Sequence, residues 1–222
     1  MFQASDAVVI EPRDAATASI LWLHGLGADG HDFEPIVPEL GANATRGLRF
    51  VFPHAPYRPV TINNGYVMRA WYDVLDMELT RRSDEAGIRS SADLLRRYIA
   101  AETEKGMPSE RIVLAGFSQG GAIALHTGLR HEQRLAGILA LSTYLPLPEV
   151  VAREAHETNA DVPIFMAHGT ADPVVGIAHA ERSRDLLAAR GYRVEWHSYP
   201  MMHAVCAEEI RDIARWLSEV LG

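Results

Sequence analysis

The segment Gly116-Phe117-Ser118-Gln119-Gly120 follows a short apolar run, Arg111-Ile112-Val113-Leu114-Ala115, and precedes a helix-compatible one, Gly121-Ala122-Ile123-Ala124-Leu125. A serine at the apex of a sharp strand-to-helix turn needs flanking positions without side chains, and Gly116 and Gly120 supply them. Such a turn lifts the hydroxyl out of the sheet edge. It also leaves the Gln119 backbone N–H at a helix N-terminus, where unpaired donors and the helix dipole stabilise an anion. Ser118 is therefore predicted to be a nucleophile for acyl transfer. The same five-residue pattern arises by chance in glycine-rich loops, and the strand before it and the helix after it are what separate the two readings.

A serine hydroxyl is a poor nucleophile at neutral pH. It needs a histidine base, and that histidine needs a carboxylate to fix its tautomer and stabilise the imidazolium. With this kind of turn the chain order is serine, acid, histidine. The predicted strand over residues 162–167 runs into His168-Gly169-Thr170-Ala171-Asp172-Pro173-Val174-Val175, which puts Asp172 in the expected turn. Asp161 precedes that strand and Asp185 falls within a predicted helix; an Asp before Pro is also commonly an ordinary turn or N-cap residue. Of ten histidines only His179, His197 and His203 follow Asp172. The first falls in a predicted helix and the second in a predicted strand, whereas His203 joins the last strand to the last helix at the same sheet edge as Ser118. His203 is the predicted general base.

An oxyanion needs a second N–H donor. The first predicted strand ends in His24-Gly25-Leu26-Gly27-Ala28-Asp29-Gly30, whose glycines let the backbone approach a reacting carbonyl. The N–H groups of Leu26 and Gln119 are the predicted oxyanion hole. His24 reads as a residue that orients this loop; together with His31-Asp32 it makes no complete metal-ligand set, and no metal is expected.

The elements that must hold these residues follow from hydrophobic patterning. Residues 19–24, 48–52, 111–117, 135–141, 162–167 and 193–199 are near-continuous apolar runs, as strands buried on both faces are, and residues 84–104, 118–130, 177–190 and 205–221 carry helical spacing. The pattern predicts one α/β domain over residues 1–222, a mainly parallel sheet flanked by helices with no separate cap domain; residues 8–11 suit an antiparallel edge strand. From Pro53 to Ser83 the chain carries Pro53, Pro56, Pro59 and Asn63-Asn64-Gly65, punctuation that suits no regular element. This loop leaves the catalytic edge, so Tyr66, Met68, Trp71 and Tyr72 either wall a substrate groove or cover the core.

A formal charge of −8, from 21 basic and 29 acidic residues with the basic ones scattered, argues against nucleic acid as a partner. The apolar stretch at 135–141 is far short of the ~18 residues of a membrane span, and the N-terminus lacks a basic region and apolar core of a signal peptide, so no stable membrane insertion is expected. A single cysteine, Cys206, excludes an internal disulfide and fits the cytoplasm; it reads as a small buried hydrophobe at the start of the last helix.

With these residues placed, the chain resembles the acyl-protein thioesterase and carboxylesterase family of the α/β-hydrolase fold. The match is carried by His24-Gly25-Leu26-Gly27-Ala28-Asp29-Gly30, Pro53-His54-Ala55-Pro56, Trp71-Tyr72-Asp73, Gly116-Phe117-Ser118-Gln119-Gly120-Gly121, Leu141-Ser142, His168-Gly169, Asp172-Pro173-Val174-Val175 and Met202-His203. The resemblance implies serine-dependent hydrolysis of carboxylic esters or thioesters without a cofactor, a cytosolic location and a weak homodimer. It carries the triad onto Ser118, Asp172 and His203, the oxyanion donors onto Leu26 and Gln119, and the acyl site onto Met68, Trp71, Tyr72 and the stretch around Tyr144. The expected activity is that of a carboxylesterase for small-to-medium acyl chains. The alternatives are an acyl-protein thioesterase or lysophospholipase acting on long chains, another triad hydrolase such as a peptidase or lactonase, and a non-catalytic binding protein on the same fold.

Overall fold

The structure is a computed structural model, and it describes residues 6–76 and 83–222. Seven strands form one sheet: β1 (Ala7–Ile10), β2 (Ala18–Leu23), β3 (Leu48–Pro53), β6 (Ile112–Phe117), β7 (Gly137–Leu141), β8 (Ile164–Gly169) and β9 (Val194–Tyr199), in the order β1-β3-β2-β6-β7-β8-β9. Strand β1 is antiparallel to β3, and all other pairs are parallel. The predicted strands and helices lie within two residues of their observed bounds.

Alternate side chains of the buried strands enter opposite cores, as a period of two requires. Leu21, Leu23, Leu114, Ile138, Ile164 and Met166 pack on one face beneath α2 (Glu85–Glu104), α3 (Gln119–Gly128) and α5 (Ile177–Ala188). Ile20, Trp22, Phe50, Val113, Leu139 and Phe165 pack on the other beneath the single turn α1 (Ile36–Glu39) and α6 (Ala207–Leu221). The remaining turn, α4 (Val151–Glu154), supplies Glu154, which accepts from Arg89 of α2 and from Arg130 just past α3 and so ties these helices together. Helix α6 buries Ile210, Ile213, Trp216, Leu217 and Leu221, and also Glu209, whose burial pushes its carboxyl up to about 8 and keeps it neutral near pH 7. Cys206, expected to be buried, is a half-buried N-cap residue of α6 instead.

The stretch from Pro53 to Ser83 does contain regular structure, contrary to the reading of its punctuation. Strands β4 (Tyr57–Val60) and β5 (Tyr66–Arg69) pair as an antiparallel hairpin, with Asn64 at φ 55° and Gly65 at φ 75° making the turn. Asn-Gly is a residue pair that tolerates left-handed backbone, and Pro59 fits because a two-stranded ribbon has free edges on which a missing N–H leaves no gap. Residues 77–82 of that stretch lie outside the described residues. Among the described residues, no helix is long and apolar enough to cross a membrane.

Trp216 joins α6 to the sheet: its ring lies on Phe165 with centroids 5.9 Å apart, and a Cβ on Gly137 would come within 2.6 Å of it. Trp216→Ala is expected to lower unfolding free energy in urea titration by about 3–5 kcal/mol. A loss under about 1 kcal/mol, ordinary for a surface position, would mean that α6 docks without it.

Candidate active site

Strand β6 ends at Phe117 and α3 begins at Gln119, so Ser118 alone makes the turn, at φ 54° and ψ −120°. That backbone is unfavourable for a residue with a Cβ and persists only where the surroundings over-determine it. Here they do. A Cβ on Gly116 would overlap the Gly120 carbonyl, one on Gly120 would overlap the Leu23 carbonyl of β2, and one on Gly121 would lie 2.7 Å from Thr143 Cγ2. The Ser118 N–H donates to Leu141 O (2.9 Å), and Thr143 Oγ1 donates to Ser118 O (2.6 Å). The serine is held 8% exposed at the C-terminal edge of the sheet.

The loops after β8 and β9 bring Asp172 and His203 to the same edge. His203 Nδ1 lies 2.7 Å from Asp172 Oδ2; since a carboxylate only accepts, Nδ1 carries the hydrogen and Nε2 is left as the basic nitrogen. Asp172 Oδ1 accepts from the N–H groups of Val174 (2.8 Å) and Val175 (2.9 Å), so the turn before Pro173 aims the carboxylate. His168, buried behind it, donates Nε2–H to Val175 O (2.7 Å), and burial lowers its pKa and keeps it neutral. Gly169 is required by close approach, because a Cβ there would overlap the carbonyl oxygens of Met201 and Met202, which lead into His203. The Phe117 ring packs on the His203 imidazole with centroids 4.6 Å apart, linking histidine and serine turn through one side chain. The other two late histidines sit elsewhere: His179 in α5 and His197 in β9 beside Glu195.

Among the described residues, the Leu26 N–H donates to no other backbone group, and the Gln119 N–H is the first of α3, where the helix offers it no acceptor. Next to Leu26, the Gly27 N–H donates to Arg69 O (2.9 Å) at the end of the hairpin. His24 donates Nδ1–H to Gly25 O (2.7 Å) and accepts the Ala55 N–H at Nε2 (3.0 Å); burial lowers its pKa to about 4, so it orients the loop as a neutral ring.

The residues expected to wall an open groove divide. Trp71 is 1% exposed: its indole N–H donates to His24 O (2.8 Å), its backbone N–H to Gln119 Oε1 (3.1 Å), and Ser91 Oγ donates to its carbonyl. Gln119 Nε2 in turn donates to Tyr72 O (2.9 Å). Trp71 thus belongs to the core and joins the loop after β2 to the serine turn. Tyr72 and Tyr144 are buried too and share a hydroxyl–hydroxyl hydrogen bond of 2.9 Å; burial raises both phenols, which stay neutral. Met68 is the exception, half-exposed and 3.6 Å from where a Cβ on Gly27 would stand. Exposed apolar residues also stand next to the Asp172–His203 pair, Val174 (57%) two residues after Asp172 and Met202 (62%) just before His203.

Sequence reasoning did not assign the Gln119 side chain, His54, Gly169 or Phe117. The pairs they make join segments far apart in the chain. The hairpin had a signal, Asn64-Gly65 between two β-compatible runs.

Residues 4–221 match the family model described as Phospholipase/Carboxylesterase. The chain is 41% identical over 231 residues to acyl-protein thioesterase 1 of Mycosarcoma maydis, covering 96% of each. Among solved structures it is similar to Arabidopsis thaliana SOBER1 (TM-score 0.87, 31% identity, 92% of this chain and 99% of that one). It is also similar to Zea mays acyl-protein thioesterase 2 (TM-score 0.85, 29% identity, 97% and 99%). A left-handed serine at the strand-to-helix turn, in a mainly parallel sheet matched by this family model over nearly its whole length, makes the chain a serine hydrolase of the phospholipase/carboxylesterase family, with the α/β-hydrolase fold.

Proposed function

We propose that this hydrolase is an acyl-thioesterase that cleaves long-chain acyl groups from modified proteins, through an acyl-enzyme on Ser118. The observation that carries the chemistry is the Asp172–His203 hydrogen bond, with Phe117, the residue before the left-handed Ser118, packed on the His203 ring. The preference for acylated protein over small-to-medium esters, which the sequence favoured, is supported by relatives named acyl-protein thioesterase 1. A lone cysteine fits a reducing cytoplasm, where we place the reaction.

In this reading Ser118 Oγ attacks the thioester carbonyl carbon while its proton passes to His203 Nε2. Asp172 holds the tautomer and stabilises the imidazolium, and the Leu26 and Gln119 N–H groups receive the oxyanion. Collapse of the tetrahedral intermediate breaks the carbon–sulfur bond, and the thiol leaves with the proton from His203. Water, deprotonated by the same nitrogen, then attacks the acyl-serine and releases the carboxylic acid and the free hydroxyl. The acyl chain runs between Leu26 and Met68 on one side and Val174 and Met202 on the other, above the buried Trp71, Tyr72 and Tyr144.

Ser118→Ala should abolish turnover of p-nitrophenyl and thioester substrates and covalent labelling by a fluorophosphonate while the circular dichroism spectrum is kept. A folded variant that turns over near the wild-type rate would remove Ser118 from the mechanism. Asp172→Asn should lower kcat by up to about 10⁴-fold through the wrong imidazole tautomer. A drop under about tenfold would mean that another group orients His203.

Chain length tests the groove. Each buried CH₂ contributes about 0.8 kcal/mol, nearly fourfold in kcat/KM, so activity should climb from acetyl to long acyl thioesters below their micellar limits. Met68→Ala should flatten that climb and leave acetyl turnover unchanged. A series that peaks at short chains would return the enzyme to the small-ester reading, and a flat one would dispose of the groove.

A further inference from the structure

Two histidines far apart in the chain make the same bond in opposite directions. His24, at the start of the oxyanion loop, accepts the Ala55 N–H at Nε2 (3.0 Å). His54, the neighbour of Ala55, accepts the N–H of Gly30, at the far end of that loop, at Nδ1 (2.9 Å). The His24 tautomer is fixed by its bond from Nδ1–H to Gly25 O, and an accepting Nδ1 requires His54 to carry its hydrogen on Nε2. Gly30 lies flush on the ring: a Cβ there would overlap Phe52 O and stand 3.1 Å from His54 Cε1. Leu26 lies in the span between the two bonds. Each bond uses an imidazole lone pair, and a protonated ring has none; it would confront an N–H with another N–H.

We propose that His24 and His54 are positioning residues for this hydrolase: a reciprocal imidazole clasp that holds the oxyanion loop, and with it the Leu26 N–H, only while both rings are neutral. The positioning claim rests on the reading of Leu26 as an oxyanion donor; the clasp itself does not. The charged and titratable groups facing the pair come from all the packed segments. Asp29 of the loop faces both rings, as does Arg69 of the hairpin; His31 and Asp6 face His54, and the two rings face each other. Burial is the leading influence and lowers both pKa values, His24 from 6.5 to about 4, with Arg69 pushing the same way and Asp29 opposing. A lowered folded-state value means that the unfolded chain binds more protons between the two values. The stability due to neutral His24 is therefore complete above pH 6.5 and declines as pH falls toward about 4.

The test compares wild type with His54→Asn, whose side-chain oxygen can replace the accepting Nδ1, and His54→Leu, which has no acceptor. In ¹⁵N spectra of the wild-type full chain near pH 7, His24 should be the Nδ1–H tautomer and His54 the Nε2–H tautomer. His54→Leu should speed amide hydrogen exchange at Gly30 and lower kcat by about 10- to 100-fold with KM nearly constant, because a displaced donor weakens only transition-state binding. His54→Asn should restore most of both. In wild type, the protection of the Ala55 amide, corrected for intrinsic exchange, should fall as the pH is lowered below 6.5 toward about 4, and that of the Gly30 amide should fall as His54 takes up a proton. The clasp is overturned if His54 carries its hydrogen on Nδ1, a result available even where the Leu variant does not fold. It is equally overturned if Gly30 stays protected in His54→Leu. If Gly30 loses protection while kcat stays within about twofold, the clasp stands and the positioning role falls, with the fault in the reading of Leu26.

Discussion

Ser118 occupies backbone that its own Cβ disfavours by about 1–3 kcal/mol, and the architecture around it follows from keeping that residue there. Strand and helix meet at the serine so closely that Gly116, Gly120 and Gly121 have no room for a Cβ. The turn is further held by Leu141 through the Ser118 N–H and by Thr143 through its carbonyl, both from the end of the adjacent strand β7. A strained residue held by that many independent contacts cannot relax without disrupting two strands and a helix. Its hydroxyl therefore stays raised at the sheet edge, with the first N–H of α3 beside it.

The loops that meet this serine are held mostly by hydrogen bonds to neutral side chains, joined by one from the Arg69 guanidinium to Ala55 O (2.7 Å). Trp71 joins the His24 carbonyl to the Gln119 amide, Gln119 joins the Trp71–Tyr72 backbone to α3, and His24 and His54 join the loop after β2 to the end of β3. A buried charge at any of these positions would need a partner of its own, whereas neutral amides and imidazoles satisfy backbone groups without one. Asp172 is caged by two backbone N–H groups and the His203 ring. The site thus combines a frame held mostly by neutral groups with an aimed carboxylate, an arrangement suited to stabilising charge that appears only during reaction.

The frame was legible in the sequence where the signal is local. Buried parallel strands are continuous apolar runs, so β2, β3, β6, β7, β8 and β9 stood out, and α6 showed its apolar stripe. Glycines flanking a serine, and a histidine and an aspartate at strand ends, could be ordered along the chain because a parallel sheet sends every such end to one edge. The hairpin was hidden by its own prolines. Cys206 was misjudged, and Trp71 was left open between groove and core, because an apolar residue near a site looks the same in sequence whether it faces solvent, substrate or core.

By itself, then, the sequence determined a mainly parallel α/β chain, a serine on a sharp turn, and an aspartate and a histidine after it at strand ends on the same edge. Each of these depends on a residue and its immediate neighbours. Only the tertiary structure decided which nitrogen of His203 faces Asp172, that Trp71 braces the loop rather than lining a groove, and that His24 and His54 accept from each other's segments. Those outcomes turn on hydrogen bonds between residues tens of positions apart, where burial and the supply of unpaired N–H and carbonyl groups select the partner, and nothing in local spacing encodes that selection.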